Sequence, residues 1–250
     1  MADHALRLAL VGNPNCGKTA LFNQLTGGRQ KVANYAGVTV DRKEGFFATP
    51  AGRRARILDL PGTYSLTAAS ADEQVTQDIL QGRYPREVRP DLVVMVVDAT
   101  NLRLHLRLLL EMRRLDLPMV VALNLSDQAR RRGIDIDVPE LARRLGVPVV
   151  ETVAVRRQGA QALLDQLDQP LAPQTPLPRA ADPQAELRQI LADTVRTPAS
   201  ATAVDDRIDR WTLHPVFGPL ILALIMFLTF QAVYALSLIH ISEPTRQEAI

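Results

Sequence analysis

Leu6-Arg7-Leu8-Ala9-Leu10-Val11-Gly12-Asn13-Pro14-Asn15-Cys16-Gly17-Lys18-Thr19-Ala20-Leu21-Phe22-Asn23-Gln24-Leu25 starts as an apolar run, turns between two glycines and continues as a helix-forming stretch. Gly12 to Thr19 fits the spacing G-x-x-x-x-G-K-[ST] of a phosphate-binding loop. In such a loop successive backbone N–H groups curl around the α/β-phosphates of a nucleotide. Lys18 is then placed to reach the β/γ-phosphates, and the Thr19 hydroxyl to ligate Mg2+. The helix that begins here points the positive end of its dipole at the same anions. A short glycine pattern alone is weak, but an eight-residue match between a strand and a helix predicts a nucleoside triphosphate site.

The chain has 250 residues, enough for one sizeable α/β domain and a smaller appendage. With 47% hydrophobic and 22% charged residues it has an ordinary globular composition. A net charge of +2 is too small to argue for a nucleic-acid partner. The arginine clusters at Arg113-Arg114, Arg130 to Arg132, Arg143-Arg144 and Arg156-Arg157 read as solvated faces at helix ends and loops. The single cysteine, Cys16, excludes an intramolecular disulfide framework and reads as a small side chain that fits the loop. Met1 to Ala5 lacks the basic and apolar regions of a signal peptide, which places the first domain in the cytoplasm.

Strand-like and helix-like stretches alternate after the loop. Gly45 to Ala48 and Arg54 to Leu60 read as a hairpin turning at Thr49-Pro50-Ala51-Gly52. Leu92 to Val97, Met119 to Leu125 and Val147 to Val153 are continuous apolar runs of the kind buried in a parallel sheet. Leu102 to Leu115, Pro139 to Leu145 and Ala160 to Leu167 read as helices, the second stopped by Gly146. The alternation predicts an α/β fold, a mainly parallel sheet covered on both faces, with ligand loops at the carboxyl ends of its strands.

Prolines 170, 173, 176, 178 and 183 then mark a linker, and Glu186 to Val195 a short helix. From Trp211 to Ser242 there is no Asp, Glu, Lys or Arg, and Phe217 to Ala235 is almost wholly apolar. A membrane-crossing helix needs about 20 such residues, so this stretch qualifies. Arg207 and Arg210 just before it favour a cytoplasmic N-terminal side. The tail from Leu236 through Arg246 resembles the in-frame translation of a sequencing-library transposase adapter, so the natural sequence is expected to leave this chain near Ala235 and continue as a longer membrane protein.

Three further motifs follow in the order used by Ras-like GTPases, and so predict a P-loop NTPase of the Ras-like G-domain type. Asp59-Leu60-Pro61-Gly62 ends a strand, where Asp59 would hold Mg2+ through water and the Gly62 N–H would meet the γ-phosphate. Thr39, in Asn34-Tyr35-Ala36-Gly37-Val38-Thr39, lies where such proteins carry a mobile switch, and its hydroxyl would complete the Mg2+ shell. Asn124-Leu125-Ser126-Asp127 matches N-x-x-D: the Asp127 carboxylate can accept both N–H donors of a guanine edge, which adenine does not offer, while Asn124 ties this loop to the phosphate loop. Each short motif is weak alone; four in register select GTP.

At these residues the chain resembles the FeoB-type ferrous iron transporters, whose cytoplasmic domain carries Gly-Asn-Pro-Asn-x-Gly-Lys-Thr, a switch like Asn-Tyr-Ala-Gly-Val-Thr-Val, and the Asp-Leu-Pro-Gly-Thr-Tyr-Ser-Leu that stands here at Asp59 to Leu66. The resemblance runs through Asp206 to Arg210 into the first membrane helix. It implies a GTP-binding domain over 1–169, a linker and small helical domain of the GDI-like type over 170–210, a first transmembrane helix over 211–235, and the adapter tail over 236–250. It further implies a GTPase in the bacterial inner membrane that regulates Fe2+ transport by a polytopic domain almost wholly absent here, with small cytosolic Feo proteins as partners and a homo-oligomer as one possible assembly.

The nucleotide contacts expected on this basis are Gly12, Asn13, Pro14, Asn15, Cys16, Gly17, Lys18, Thr19 and Ala20, the switch residues Gly37, Val38 and Thr39, then Asp59, Leu60, Pro61 and Gly62. Asn124, Leu125, Ser126 and Asp127 follow, with Val153, Ala154 and Val155 closing the base loop. Catalysis would rest on Asn15, Lys18, Thr39 and Gly62. Where Ras-like proteins have a water-orienting Gln, Thr63 stands, too short for that role. The resemblance implies that K+ supplies the missing charge, held by Asn15 and switch carbonyls. Leu125 replaces the Lys that commonly packs on the base, which predicts micromolar affinity and fast release. Ala154 can still offer its N–H to the guanine carbonyl, but Val153-Ala154-Val155 lacks the usual serine hydroxyl. A soluble ribosome- or tRNA-associated GTPase shares the four motifs, though the apolar segment and the lack of a basic extension argue against it; a nucleotide-binding switch with negligible turnover is the other alternative.

Overall fold

In the computed structural model, the residues described are 5–35, 41–66, 70–85, 87–115, 117–170, 174, 182–196 and 211–241, without side chains for 235–241. Strand β1 (Leu6–Gly12) lies at the centre of a seven-stranded sheet with β2 (Gln30–Asn34), β3 (Asp41–Ala48), β4 (Arg54–Asp59), β5 (Leu92–Asp98), β6 (Met119–Asn124) and β8 (Val149–Glu151). The order is β2-β3-β4-β1-β5-β6-β8. β1 is parallel to β4 and β5, β5 to β6, and β6 to β8, whereas β2 and β3 run antiparallel to their neighbours. The mainly parallel sheet is as expected, and all four motif-bearing strands, β1, β4, β6 and β8, end on the same edge.

Alternation along the strands builds two cores, because successive side chains point to opposite faces. Leu8, Leu10, Val94 and Val96 face α1 (Lys18–Thr26) and α6 (Gln161–Asp168), through Leu21, Phe22, Leu163 and Leu167. Ala9, Val11, Val93 and Met95 face the other way, onto α2 (Ala71–Leu80), α3 (Leu102–Met112), α5 (Val138–Leu145) and α7 (Pro183–Thr194). Each fully buried Leu, Val or Ile contributes roughly 1.5–3 kcal/mol. Leu187 and Ile190 put α7 in this second core. Its start at Pro183, earlier than the sequence suggests, follows from Asp182, whose carboxylate accepts from the N–H groups of Gln184 and Ala185.

Several elements differ from expectation. β2 carries no apolar alternation, all five of its residues being exposed, so it forms by ladder pairing to β3 alone. α2 is opened by Ser70, whose hydroxyl accepts from the Glu73 N–H in an S-x-x-E capping sequence. α4 (Ser126–Arg131) is a short turn of helix, and β7 (Asp135–Ile136) pairs with β9 (Val195–Arg196) as a separate two-stranded ladder. The Val147 to Val153 run yields only the three-residue β8, since β6 offers pairing at Val121 to Leu123 alone.

Arg113 corrects the reading of the arginine clusters as solvated. It is 2% exposed, with its guanidinium Nε donating to the Leu145 carbonyl at 2.7 Å, at the negative end of α5. Burial pulls its pKa below the ordinary arginine value. Gln174, in the proline-rich stretch, grips β6 from the same region: it accepts from the Met119 N–H at 3.0 Å and donates to the Met119 carbonyl at 2.7 Å.

The residues from Trp211 belong to a second unit. Helix α8 (Phe217–Ile241) is capped by His214, whose Nδ1 accepts from the N–H groups of Val216 and Phe217. Its Phe217–Tyr234 stretch has a mean hydropathy of 1.9 and no buried residue. The Thr229 hydroxyl is satisfied within the helix by the Ile225 carbonyl at 2.8 Å. α8 continues beyond Ala235 to Ile241.

Arg113→Ala should lower the unfolding free energy by about 2–4 kcal/mol, because it strands the Leu145 carbonyl and opens a cavity. Urea denaturation in detergent micelles measures it; a loss within about 0.5 kcal/mol, the range of a surface substitution, would contradict a structural role.

Candidate nucleotide site

The loop between β1 and α1 holds Asn15 at φ 64° and Gly17 at φ 85°, alternating left-handed residues that turn its N–H groups inward. Gly17 is the N-cap of α1, which has no side-chain cap and no acidic residue in its first turn. By contrast α2, α5 and α7 each close their first turn with a hydroxyl or carboxylate. A glycine is required here twice over: a Cβ on Gly17 would also lie 2.2 Å from Asn124 Nδ2. Asn15, Gly17, Lys18, Thr19, Ala20 and Gly62, with Asp72, line a cleft of about 590 Å3.

Asn124, at the end of β6 and 0% exposed, joins the two loops of the site. Its Nδ2 donates to the Cys16 carbonyl at 3.0 Å and its Oδ1 accepts from the Ala154 N–H at 3.0 Å. Leu125 follows in the left-handed region at φ 60°, which turns the chain into α4 and brings Asp127 into its first turn. The Ser126 hydroxyl donates to the Thr152 carbonyl at 3.3 Å, fastening α4 to the loop after β8. Val153, Ala154 and Val155 lie in that loop.

Two ion pairs occupy the charged residues that the sequence singles out. Lys18 Nζ lies 2.8 Å from Asp59 Oδ1 and also donates to the Leu60 carbonyl. Arg156 Nη2 lies 3.1 Å from Asp127 Oδ2. Neither pairing is legible in motif spacing, and Arg156 was grouped with the solvated arginines. Cys16 is fully buried; burial pushes its thiol up to about 11, against the lowering influence of Lys18. Asn13 is buried too, and neither polar atom of its amide has a partner among the described residues. Pro14 packs against Gly62, where an added Cβ would come within 3.2 Å of Pro14 Cγ.

Thr63 has a structural task. It is 1% exposed, its hydroxyl lies 2.5 Å from the Ser65 carbonyl and 3.0 Å from the Glu73 carboxylate, and its N–H donates to the Gly12 carbonyl. The Asp59 to Gly62 loop is thereby tied to β1 and α2. Gly37, Val38 and Thr39 lie outside the described residues. Their flanks are fixed: Tyr35 is buried edge-on against Tyr84 with ring centroids 5.8 Å apart, and Arg42 binds Glu87 at 2.6 Å and Glu44 at 2.7 Å. Asp72, which lines the cleft, was missed in the sequence; the Ser70-Ala71-Asp72-Glu73 capping pattern was the available signal.

Asn124→Ala should speed hydrogen exchange at the Ala154 amide by about 5- to 150-fold, since one buried hydrogen bond is worth about 1–3 kcal/mol when its partner is removed. Unchanged protection would show that the base loop is held elsewhere. With its pKa near 11, Cys16 should resist maleimide at pH 8 in the folded chain and react once urea exposes it; equal labelling rates would contradict the burial.

A family model described as Ferrous iron transport protein B matches residues 6–167. The chain is 45% identical over 164 residues to the Fe(2+) transport protein A/Fe(2+) transporter FeoB fusion protein of Porphyromonas gingivalis, covering 66% of this chain and 19% of that one. It is 49% identical over 158 residues to the Fe(2+) transporter FeoB of Salmonella typhimurium, covering 63% of this chain and 20% of that one. The chain thus spans about a fifth of the length of these curated relatives. Among solved structures it resembles the cytosolic domain of the T. maritima FeoB iron transporter in a GDP form, at 34% identity and a TM-score of 0.65, over 86% of this chain and 85% of that one. The matched span runs from the first residue of β1 to the last turn of α6, and the chain belongs to the ferrous iron transport protein B family, whose N-terminal G domain it carries.

Proposed function

We propose that residues 6–167 bind and hydrolyse GTP, and that this cycle regulates Fe2+ transport by a membrane domain of which α8 is the first crossing. The observation that carries the reading is the Asn124 bridge, which sets the phosphate loop and the base loop on one frame. The GDP form of the T. maritima relative supports guanine as the base. The fusion of a transport protein A with FeoB in P. gingivalis supports small Feo proteins as partners. The apolar Phe217–Tyr234 stretch supports a membrane crossing, and the likeness to the cytosolic domain of the T. maritima relative supports a G domain on the cytoplasmic side of a bacterial inner membrane. Residues 170–210 would connect the two parts, α7 being packed on the G-domain core.

The site handles charge by exchange. Phosphate oxygens would take Lys18 and the uncapped N–H groups of α1, while Asp59, released from Lys18, would turn to the accompanying cation. Mg2+ commonly binds through one or two protein oxygens together with substrate phosphates. Thr19, Asp59 and Thr39 would hold it, and it would neutralise charge on the phosphates. Asn15, exposed at the mouth of the cleft, has an oxygen donor suited to K+, which would add positive charge beside the γ-phosphate. The Gly62 N–H would orient that phosphate from the opposite side. Asp127 would select guanine, and Ala154 would offer an N–H near the base carbonyl.

GTP hydrolysis by the chain should be several-fold faster in KCl than in NaCl at equal ionic strength. Asn15→Ala should remove the difference while leaving GDP affinity within about twofold. Equal rates in both salts would sink K+ activation, no turnover in either would leave only a nucleotide switch, and loss of GDP binding in Asn15→Ala would mean that Asn15 merely shapes the loop.

A further inference from the structure

We propose that Arg156 is an internal mimic of the guanine edge, which competes with the base for Asp127 and weakens discrimination between guanine and hypoxanthine. This rests on the reading of Asp127 as the base-recognition carboxylate. The Asp127 side chain is only 18% exposed, so few donors reach it, and the Arg156 guanidinium reaches Oδ2 at 3.1 Å. A guanidinium and the N1–H/N2–H2 edge of guanine share one pattern: N–H donors flanking a single carbon, in a plane, suited to a carboxylate.

The position of Arg156 is built. Its N–H donates to the Val153 carbonyl at 2.9 Å, its carbonyl accepts from the Gly159 N–H at 2.9 Å, and Val153 N–H donates to the Gly159 carbonyl at 2.8 Å. Gln24 of α1 also donates its side-chain N–H to the Arg156 carbonyl. Gly159 permits this turn, since a Cβ there would lie 1.9 Å from the Val153 carbonyl oxygen. The backbone of Arg156 is thus fixed beside Asp127 by the same loop that carries Ala154, and only its side chain, 59% exposed, has to leave when a base needs Oδ2.

Guanine requires both carboxylate oxygens, one for N1–H and one for N2–H2, and so must displace Arg156. Hypoxanthine offers N1–H alone and can bind through Oδ1 with the ion pair intact. The diphosphates are identical, so the ratio of GDP to IDP affinity isolates the base edge from any change in charge near the phosphates.

The test is displacement of a fluorescent GDP from the full chain in detergent micelles by GDP and by IDP. Removing an exposed ion pair of this kind is expected to change affinity roughly 2–5-fold. Arg156→Ala should tighten GDP by that factor, leave IDP unchanged and so raise the GDP:IDP preference 2–5-fold. Arg156→Met, which keeps the aliphatic stem without donors, should do the same. An unchanged preference in both variants overturns the proposal, as does a fall, which would mean that Arg156 supports the bound base. Absence of GDP binding by the unsubstituted chain would instead overturn the guanine reading on which the proposal rests.

Discussion

The Asn124 carboxamide is the constraint on which the site depends. It donates to the phosphate loop at Cys16 and accepts from the base loop at Ala154, and it can do so because a carboxamide carries a donor and an acceptor on one rigid plane. An aspartate would set a second acceptor against the Cys16 carbonyl, and an apolar residue would leave both backbone groups unpaired. Its position comes from the sheet. β6 ends at Asn124 in register with Asp98 of β5, and β5 lies beside β1, whose end is Gly12. Phosphate and base loops therefore inherit their separation from the strand spacing. Gly17 completes the constraint, because the close approach of Asn124 Nδ2 leaves no room for a side chain there.

The charged groups around this frame are compensated internally. Lys18 is held by Asp59, Asp127 by Arg156, and Arg42, Glu44, Arg56 and Glu87 close a ring of alternating charge. A ligand that needs both oxygens of Asp127, or that draws Lys18 away from Asp59, must break an existing contact, so part of that new interaction offsets the one lost. As expected from the sequence, Leu125 would reduce affinity by omitting packing on the base, and the ion pairs would act in the same direction by stabilising the protein without ligand. These two causes are separable, since the first lies on the bound side of the equilibrium and the second on the free side.

Much of the fold and frame was legible in the sequence, for identifiable reasons. Apolar runs at Leu6 to Val11, Leu92 to Val97 and Met119 to Leu125 are long enough to override local ambiguity, and the phosphate loop fixes its own neighbours. The N-x-x-D spacing placed Asn124 and Asp127, and the role of Asn124 as a tie between loops is present as hydrogen bonds. β2 was not legible because it has no buried face, and α2 was passed over although Ser70 and Glu73 mark its start. Arg113 was misread because charge pattern alone cannot tell an arginine over a helix carbonyl terminus from one in water. The contact of Arg156 with Asp127, 29 residues apart, depends on how the loop after β8 folds back, which no local pattern records.

Thr63 shows how one substitution in a motif redistributes work across a site. At the position where Ras-like proteins hold a glutamine, a short hydroxyl cannot reach a water beyond the γ-phosphate, and here that hydroxyl is engaged by Ser65 and Glu73. The Thr63 N–H is likewise taken by the Gly12 carbonyl, and Gly62 is packed on Pro14. This side of the cleft therefore offers rigid backbone and no mobile polar side chain at position 63. The phosphate-loop side offers Lys18, the N–H groups of α1 and the exposed Asn15. On the function proposed above, charge developing on a γ-phosphate would be met largely from that second side, where a cation held by Asn15 would stand.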